Sequence, residues 1–219
     1  MKHIYGSILK GHLNSFSEKV QSVSDVVIEM TLDLFKTVTI DLAPTPSKFH
    51  YIFNLKDISR VFQGILQSQP GNFKDKRQIV RLWRHELERS FCDRMVSEKD
   101  VELVRSRMKD LISKNFQKDI RTRPSNLRGD KGDKKDSIFF DMPLEEYVMR
   151  NPILFGDFRQ FGDDEPRTYE DLLDYQAVMH LFQEILDEFN ETYGQMNLVL
   201  FNDCLDHLTR VHRTFRLNR

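Results

Sequence analysis

The sequence contains only two cysteines among its 219 residues, Cys92 and Cys204. They form no C-x-x-C pair and lack the spacing of zinc ligands, so neither a redox motif nor a zinc site is predicted. Both lie in apolar helical stretches, which predicts buried free thiols in a reducing cytosolic compartment. The sequence has no apolar run of about 18 residues, and its first apolar run is too short for a signal peptide, so no membrane segment is expected.

An excess of charge of one sign is also missing. The 33 basic and 34 acidic residues leave a formal net charge of −1. A protein so close to neutral has no overall electrostatic attraction to nucleic acid or to a membrane surface. Residues 121–136 differ locally, because six basic and three acidic side chains there surround one apolar residue, Leu127. This composition predicts a solvated, flexible loop. A nucleic-acid-binding arm is the weaker alternative, since no aromatic residues interleave the charges.

No complete catalytic constellation is recognisable. Residues Gly6–His12 have the glycine spacing of a phosphate-binding loop but lack its lysine and hydroxyl. His85 opens H-E-L-E rather than H-E-x-x-H, and His207 and His212 are five residues apart, off the spacing for shared metal ligation. Each of these two is expected to be a surface or a satisfied core histidine. The acidic stretch 184–188 lies in a helical pattern, and Asp187 and Glu188 are expected to be solvated.

Apolar residues recur at helical spacing along most of the chain, which predicts a mainly α-helical fold with at most a short strand or two. In the first part of the chain, helices are expected over 3–13, over a segment that begins with a Ser15–Glu18 capping box and ends at about Val38, after the N-cap Asn54, over 76–95, and after Ser97. In the last part, one helix is expected to begin at Thr168, with Asp171 completing its cap, and to end at Gly194. Another is expected to begin at the cap Asn202. An extended segment is expected over 137–143.

Two of these helices have informative faces. In the helix over 76–95, one face is apolar and the other carries Arg77, Arg81, Glu88 and Arg89. The last helix is expected to bury the stripe Leu205, Leu208, Val211 and Phe215. The expected core of the first part consists of Val27, Leu34, Ile58, Phe62, Leu82, Trp83, Phe91, Val104 and Leu111.

A lysine occupies an unusual place at the start of the helix that follows Asn54. Asn54 is a good N-cap residue, Asp57 follows three residues later, and the apolar stripe begins at Ile58. Lys56 therefore lies in the first turn, where the helix dipole disfavours a cation. A helix N-terminus offers free N–H groups to an anion and the lysine adds a full charge, so a phosphate would suit this position. The alternative is a solvated lysine beside Asp57.

Six segments of the chain resemble dynein heavy chains, and axonemal ones in particular. They are IYGSILKGHL, PTPSKFHYIFNLKDISRVFQGIL, RLWRHELERSFCDRM, NPILFGDF, YEDLLDYQAVMHLFQEILDEFNE and MNLVLFNDCLDHLTRVHRTFRL. They cover most of the chain in the family's order, and only 121–136 has no counterpart. The dynein motor is a ring of six AAA+ modules on one chain. The resemblance implies a segment running from beyond the third module's large subdomain, through its helical lid, to the opening of the fourth module.

The resemblance also implies site residues. In the family, the helix beginning at FNLKDISR carries the sensor-II position, where a basic residue, commonly arginine, reaches the nucleotide phosphates. Lys56 falls on that position, and Arg60 is the second candidate. Lysine keeps the charge but lacks the bidentate fork of arginine, so the coupling of this lid to nucleotide is expected to differ. The adenine-side start of the fourth module corresponds to Leu198, Val199, Leu200 and Phe201.

For the intact parent, the resemblance implies an ATP-driven microtubule motor of the cytoplasm and cytoskeleton, at the axoneme of cilia and flagella. ATP or ADP with Mg²⁺ would be its cofactor, and none is expected to bind this chain tightly by itself. The implied partners are the other AAA+ modules, the intermediate and light chains, and microtubules, with no nucleic acid or membrane. The chain is expected to be a piece of a larger polypeptide, with no catalytic residue or metal ligand of its own.

Three parts are predicted along the chain. Residues 1–120 would form a helical AAA+ lid-like domain, 121–137 a charged flexible loop, and 138–219 a helical connector that leads to the next AAA+ module. The competing hypothesis is a stand-alone helical scaffold that binds a partner protein. It is supported by the missing phosphate loop and by the acidic segment 161–171.

Overall fold

The structure, a computed structural model, describes residues 1–116, 142–160 and 167–217. Within these ranges the chain is mainly helical with one two-stranded sheet, which confirms the predicted fold class. The helices are α1 (Lys2–Leu13), α2 (Glu18–Gln21), α3 (Ser24–Asp41), α4 (Leu55–Ile65), α5 (Lys76–Leu87), α6 (Glu98–Asn115), α7 (Leu144–Met149), α8 (Tyr175–Thr192) and α9 (Asn202–Arg216). A π-helical segment over Glu88–Cys92 continues α5, a 3₁₀ turn covers Phe158–Gln160, and the strands are β1 (Phe155–Gly156) and β2 (Glu170–Asp171).

The chain forms two compact units. The first contains Met1–Leu66 and Phe73–Arg150, and the second contains Gln67–Asn72 and Asn151–Arg219. The predicted part boundaries and the charged segment 121–136 fall within 117–141, outside the described residues, so the three-part division stays a prediction. None of the helices that the structure describes is long and apolar enough to span a bilayer.

The largest fully buried side chain of the first unit is Trp83, which is 0% exposed. Its indole Nε1 donates a hydrogen bond to Thr31 Oγ1 at 2.8 Å, which satisfies the one polar group of the ring. The predicted core residues that are buried are Val27, Leu34, Ile58, Phe62, Leu82, Trp83, Phe91 and Val104. Leu111 is only half-buried, so its placement was wrong. Helix α6 turns Val104, Met108 and Ile112 inward at a spacing of four, which leaves Leu111 at the margin.

The long helix predicted from Ser15 is interrupted. Helix α2 ends at Gln21 and α3 begins at Ser24. The predicted Ser15–Glu18 capping box was wrong, because the Ser15 hydroxyl donates to the His12 carbonyl at 3.2 Å and the N-cap residue of α2 is Ser17, which makes no side-chain cap bond. Val20, Val23 and Val27 are nevertheless all buried. The apolar stripe was therefore correct and its continuity was wrong, since a short turn can keep one side facing the core. Ser97 likewise precedes α6 without a side-chain cap bond.

The charged face of α5 is buried like its apolar face. Arg81 is fully buried, and its Nη1 donates to the carbonyls of Tyr147 and Arg150 at 3.1 and 2.7 Å. Arg84 donates to the Arg150 carbonyl at 3.2 Å and through Nε to Glu88 at 2.8 Å. These carbonyls lie at the end of α7, where a helix lacks internal partners for them. The guanidinium groups therefore cap α7 and attach it to α5.

The two cysteines differ in burial, and both are free thiols. Cys92 is buried as predicted, and burial, followed by the charge of Glu88, raises the pKa of its thiol to about 12. Cys204 is only half-buried, so the prediction for it was too strong.

The second unit packs α8 and α9 beside the small sheet. The antiparallel strands pair Phe155 with Asp171 and Gly156 with Glu170. Because the backbone at 170–171 belongs to this sheet, the helix predicted from Thr168 begins only at Tyr175, after an Asp174 cap whose Oδ1 accepts from the Ala177 N–H at 2.8 Å. The core cluster of this unit consists of Leu154, Leu172, Val178, Phe182 and Leu205.

The last helix, α9, confirms the predicted element but not its details. Asn202 is its first residue rather than its cap. Leu205 is fully buried, whereas Leu208, Val211 and Phe215 are exposed, Phe215 to 84%. Most of the stripe that was expected to face inward thus faces away from the core of the described residues. The segment predicted over 137–143 lies almost wholly outside those residues.

Candidate functional site

The first turn of α4 is closed by its own side chains. Asn54 Oδ1 accepts a hydrogen bond from the Lys56 N–H at 2.9 Å, and the Asn54 N–H donates to Asp57 Oδ2 at 2.9 Å. This reciprocal capping box satisfies donors that a helix start would otherwise leave free. The free amide groups predicted for this position are thus partly occupied. An anion approaching here would meet the Lys56 ammonium group rather than the Lys56 amide.

Asp57, the acidic member of this turn, is 3% exposed and is paired with Arg94. Arg94 Nη2 lies 2.5 Å from Asp57 Oδ1, and the guanidinium also donates to the carbonyls of Ile52 at 3.1 Å and Ser90 at 2.8 Å. The Arg94 guanidinium lies over the Phe53 ring, 5.4 Å from its centroid. The carboxylate closest in sequence to Lys56 is therefore engaged elsewhere.

Lys56 itself is exposed, and its ammonium group has no hydrogen bond or ion pair with any residue in the described ranges. This exposure agrees with the alternative of a solvated lysine beside Asp57, whose own carboxylate pairs with Arg94. The role of Lys56 toward a phosphate stays a prediction.

Arg60 lies one turn further along the same helix. Its guanidinium is 3.9 Å from Asp57 Oδ1, and half of its side chain is exposed. Lys56 and Arg60 are thus brought to one end of α4, but a carboxylate partly balances the charge of Arg60. Of the two cations, Lys56 is the one without an ion pair among the described residues.

Two further contacts hold the entry to α4. The Tyr5 hydroxyl of α1 pairs with Ser59 Oγ at 2.8 Å, and its ring stacks on Phe62 with a centroid distance of 4.7 Å. In the loop before the helix, Lys48 Nζ and the Tyr51 hydroxyl donate to the Asp100 carboxylate of α6 at 2.5 and 2.9 Å. The hydrogen bond from Lys48, ahead of the one from Tyr51, holds the pKa of Asp100 below its usual value.

The four residues predicted on the adenine side of the next module lie in the second unit, between α8 and α9. Leu198, Val199 and Phe201 are exposed, Val199 to 82%, and Leu200 packs against the core cluster of that unit. The backbone over 194–201 is neither helix nor strand. Their proposed contact with adenine stays a prediction.

An ion-pair cluster in the second unit was missed at the sequence level. Asp157 is 3% exposed, and both His212 Nε2 and Arg216 Nη1 contact its carboxylate. Arg216 Nε also donates to Gln67 Oε1 at 2.9 Å, and its guanidinium lies over the Tyr169 ring. His212 is therefore a satisfied histidine, as expected, while the role of Asp157 left no signal in the spacing. His207 is exposed.

Within the described ranges, no group of three His, Cys, Asp or Glu side chains is placed to hold a metal ion. Asp187 and Glu188 of the acidic stretch on α8 are exposed, which confirms that they are solvated.

Comparison with known families and proteins identifies the first unit. Residues 27–123 match the AAA+ lid domain family. This range contains α4 to α6 and α3 from Val27 onward, and therefore both the α4 turn with Lys56 and the Arg94 that contacts it.

Relatives match nearly the whole chain. Human dynein axonemal heavy chain 10 is 47% identical over 217 residues, which are 99% of this chain and 4% of the relative. The dynein-1-alpha heavy chain of the flagellar inner arm I1 complex of Chlamydomonas reinhardtii is 35% identical over 99% of this chain and 4% of the relative. Human dynein axonemal heavy chain 6 is 33% identical over 100% of this chain and 5% of the relative. The chain thus spans only a small part of the length of these relatives, and it belongs to the axonemal dynein heavy chain family, of which it carries an AAA+ lid domain.

Proposed function

We propose that this chain acts as a nucleotide-sensing lid and inter-module connector in an axonemal dynein heavy chain, an ATP-driven microtubule motor. The observation that carries the proposal is 47% identity to a human axonemal heavy chain over 99% of this chain. The match of 27–123 to the AAA+ lid family supports the lid role. The stand-alone scaffold is not favoured, because the relatives that match the whole chain are dynein heavy chains.

Lys56 is the proposed sensor of nucleotide, in the lid of the third module. Its support is local: an exposed ammonium group in the first turn of α4, without an ion pair in the described ranges, on a helix whose start is fixed by a capping box. Arg60 is a second candidate and Asp57 partly balances its charge. An ammonium group is a point charge, so it can follow a phosphate through small displacements but cannot hold two oxygens in fixed geometry as arginine does.

ATP or ADP with Mg²⁺ is the proposed cofactor of the whole motor. Hydrolysis of ATP to ADP and phosphate would supply the motor with free energy. An exposed cation at the start of α4 fits a phosphate group, whereas no cluster of carboxylates in the described ranges fits a metal ion. Lys56 would therefore contribute charge to phosphate binding, and Leu198 to Phe201 would face adenine in the following module.

The proposed mechanical role follows from this contact. If Lys56 binds phosphate in one orientation of the lid only, nucleotide shifts the population of lid orientations by the difference in affinity. The other AAA+ modules of the heavy chain are the proposed direct partners, and the intermediate chains, light chains and microtubules are partners of the whole motor. The proposed location is the axoneme of cilia or flagella.

The test is the substitution of Lys56 in the complete heavy chain that contains this segment. Because a hydrogen bond to a charged group contributes about 1.5–3 kcal/mol, Lys56→Met should weaken the binding of Mg-ATP to the third module roughly tenfold or more. Lys56→Arg keeps the charge and is the matched control. Titration with a fluorescent ATP analogue measures the affinity, and ATP-induced release from microtubules measures the coupling. Unchanged affinity and release in Lys56→Met would refute the sensing role.

A further inference from the structure

We propose that Arg94 is a positioning residue that holds the first turn of α4, and with it Lys56, in the orientation needed for phosphate contact. This inference rests on the proposed function. Arg94 lies two residues beyond the π-helical segment that continues α5, whereas Lys56 lies in the first turn of α4. The link between them runs through Asp57 and the backbone just before the helix.

Arg94 binds three separate points around this turn. Its guanidinium contacts both carboxylate oxygens of Asp57, at 2.5 and 3.5 Å, and donates to the Ile52 carbonyl at 3.1 Å. A third bond, at 2.8 Å, goes to the Ser90 carbonyl of the π-helical segment. One planar group thus joins the loop before α4, the first turn of α4 and the end of α5. A single ammonium or amide could not span these directions.

The Asp57 carboxylate links Arg94 to the helix turn that carries Lys56. Asp57 Oδ2 also accepts the Asn54 N–H of the capping box, so the same carboxylate closes the helix start and receives Arg94. Without Arg94, the nearly buried charge of Asp57 would lose its closest partner and would seek another cation. The cations one residue before and three residues after it are Lys56 and Arg60. Arg94 is therefore expected to act in two ways, by fixing the turn and by keeping Asp57 from neutralising Lys56.

A matched control exists in the same unit. Arg105 Nη2 pairs with Glu88 at 3.2 Å, and its side chain is 38% exposed, compared with 26% for Arg94. Glu88 keeps a second partner when Arg105 is removed, since Arg84 Nε lies 2.8 Å away. Arg105→Leu therefore removes the same chemical group from a partly buried ion pair. Within the described residues, no hydrogen bond or ion pair connects Arg105 to α4.

The first experiment uses the 219-residue chain and amide hydrogen exchange. Arg94→Leu should accelerate exchange of the Asn54, Lys56 and Asp57 amides by about tenfold or more. In the unsubstituted chain, opening the turn must break the charge-assisted bond between Arg94 and Asp57, whereas in the variant this bond is already absent and opening costs less free energy. Amides around Trp83 should keep their protection in both variants, and Arg105→Leu should leave the α4 turn unchanged. If the turn stays protected in Arg94→Leu, or opens equally in Arg105→Leu, the positioning role is wrong.

The second experiment measures ATP affinity of the complete heavy chain in a double-mutant cycle. If Arg94 acts through Lys56, Arg94→Leu weakens binding, while the double variant Lys56→Met with Arg94→Leu binds no more weakly than Lys56→Met alone. Additive losses would overturn the inference and leave the sensing role of Lys56 standing. A silent Lys56→Met would instead refute the proposed function, and the exchange experiment would then still decide whether Arg94 holds the turn.

Discussion

At the scale of single residues, the main finding is how the charges around α4 are distributed. Asp57 pairs with Arg94 and caps its own helix, so its carboxylate does not pair with Lys56. Lys56 is then an exposed cation at the positive end of a helix, an unfavourable position for a side chain with no task there. This is the physical reason for testing Lys56 and Arg94 together.

Trp83 allows a direct test of the first unit's core. The side chain is fully buried and its Nε1 is hydrogen-bonded to Thr31. Trp83→Ala should therefore lower the free energy of unfolding by roughly 3–5 kcal/mol, from lost burial and the cavity left behind. Leu111→Ala, at a half-buried position, should cost less. Chemical denaturation measures both, and a loss below about 1 kcal/mol for Trp83→Ala would contradict its central place in the core.

At the scale of elements, helices α4 and α5 meet at Gly64. A β-carbon on Gly64 would lie 1.8 Å from Glu86 Oε2, and Glu86 is fully buried, with Oε1 3.1 Å from His85 Nδ1. The Glu86 side chain is shielded from solvent, so a β-carbon at Gly64 would have to displace it inside the core. The glycine is required by the close approach of the two helices rather than by its backbone angles.

The substitution Gly64→Ala should consequently lower the free energy of unfolding by about 1–3 kcal/mol through overpacking. Gly11→Ala is the matched control, because nothing lies within 4 Å of a β-carbon at Gly11 of α1. There the loss of backbone freedom in the unfolded chain should raise stability by about 0.4–1 kcal/mol. Thermal or denaturant unfolding distinguishes the two, and equal effects would disprove the close contact at Gly64.

Element boundaries show where periodicity stops being informative. The spacing of apolar residues predicted the helices that became α3 to α6, since each buries apolar residues that recur at helical spacing. It did not predict the turn between α2 and α3, because a break that keeps Val20 and Val27 on the same side leaves the spacing intact. It also placed the start of α8 too early, since the pairing of residues 170–171 with 155–156 is a contact between distant parts of the sequence.

At the scale of the whole molecule, the chain is expected to sense nucleotide without turning it over. The only glycine pair with phosphate-loop spacing, Gly6 and Gly11, lies in α1 and lacks the lysine and hydroxyl of such a loop. We therefore predict no ATP hydrolysis by the 219-residue chain alone. A phosphate-release assay with Mg-ATP checks this, with the Lys56→Ala variant as control for contaminating ATPase. Turnover that disappears in Lys56→Ala would contradict the prediction.

The amino-acid sequence by itself determined the helical fold class, the apolar stripes of α3, α4 and α5 and the place of Lys56 in a first turn. These depend on local spacing and on capping residues within three positions of each other. The tertiary structure alone decided that Arg94 takes Asp57, that the arginines of α5 are buried against α7, and that Asp157 joins His212 to Arg216. Such contacts join residues that are far apart in sequence. The position of a charged residue in the sequence is the same whether its side chain faces water or a buried partner, so the sequence pattern could not distinguish the two.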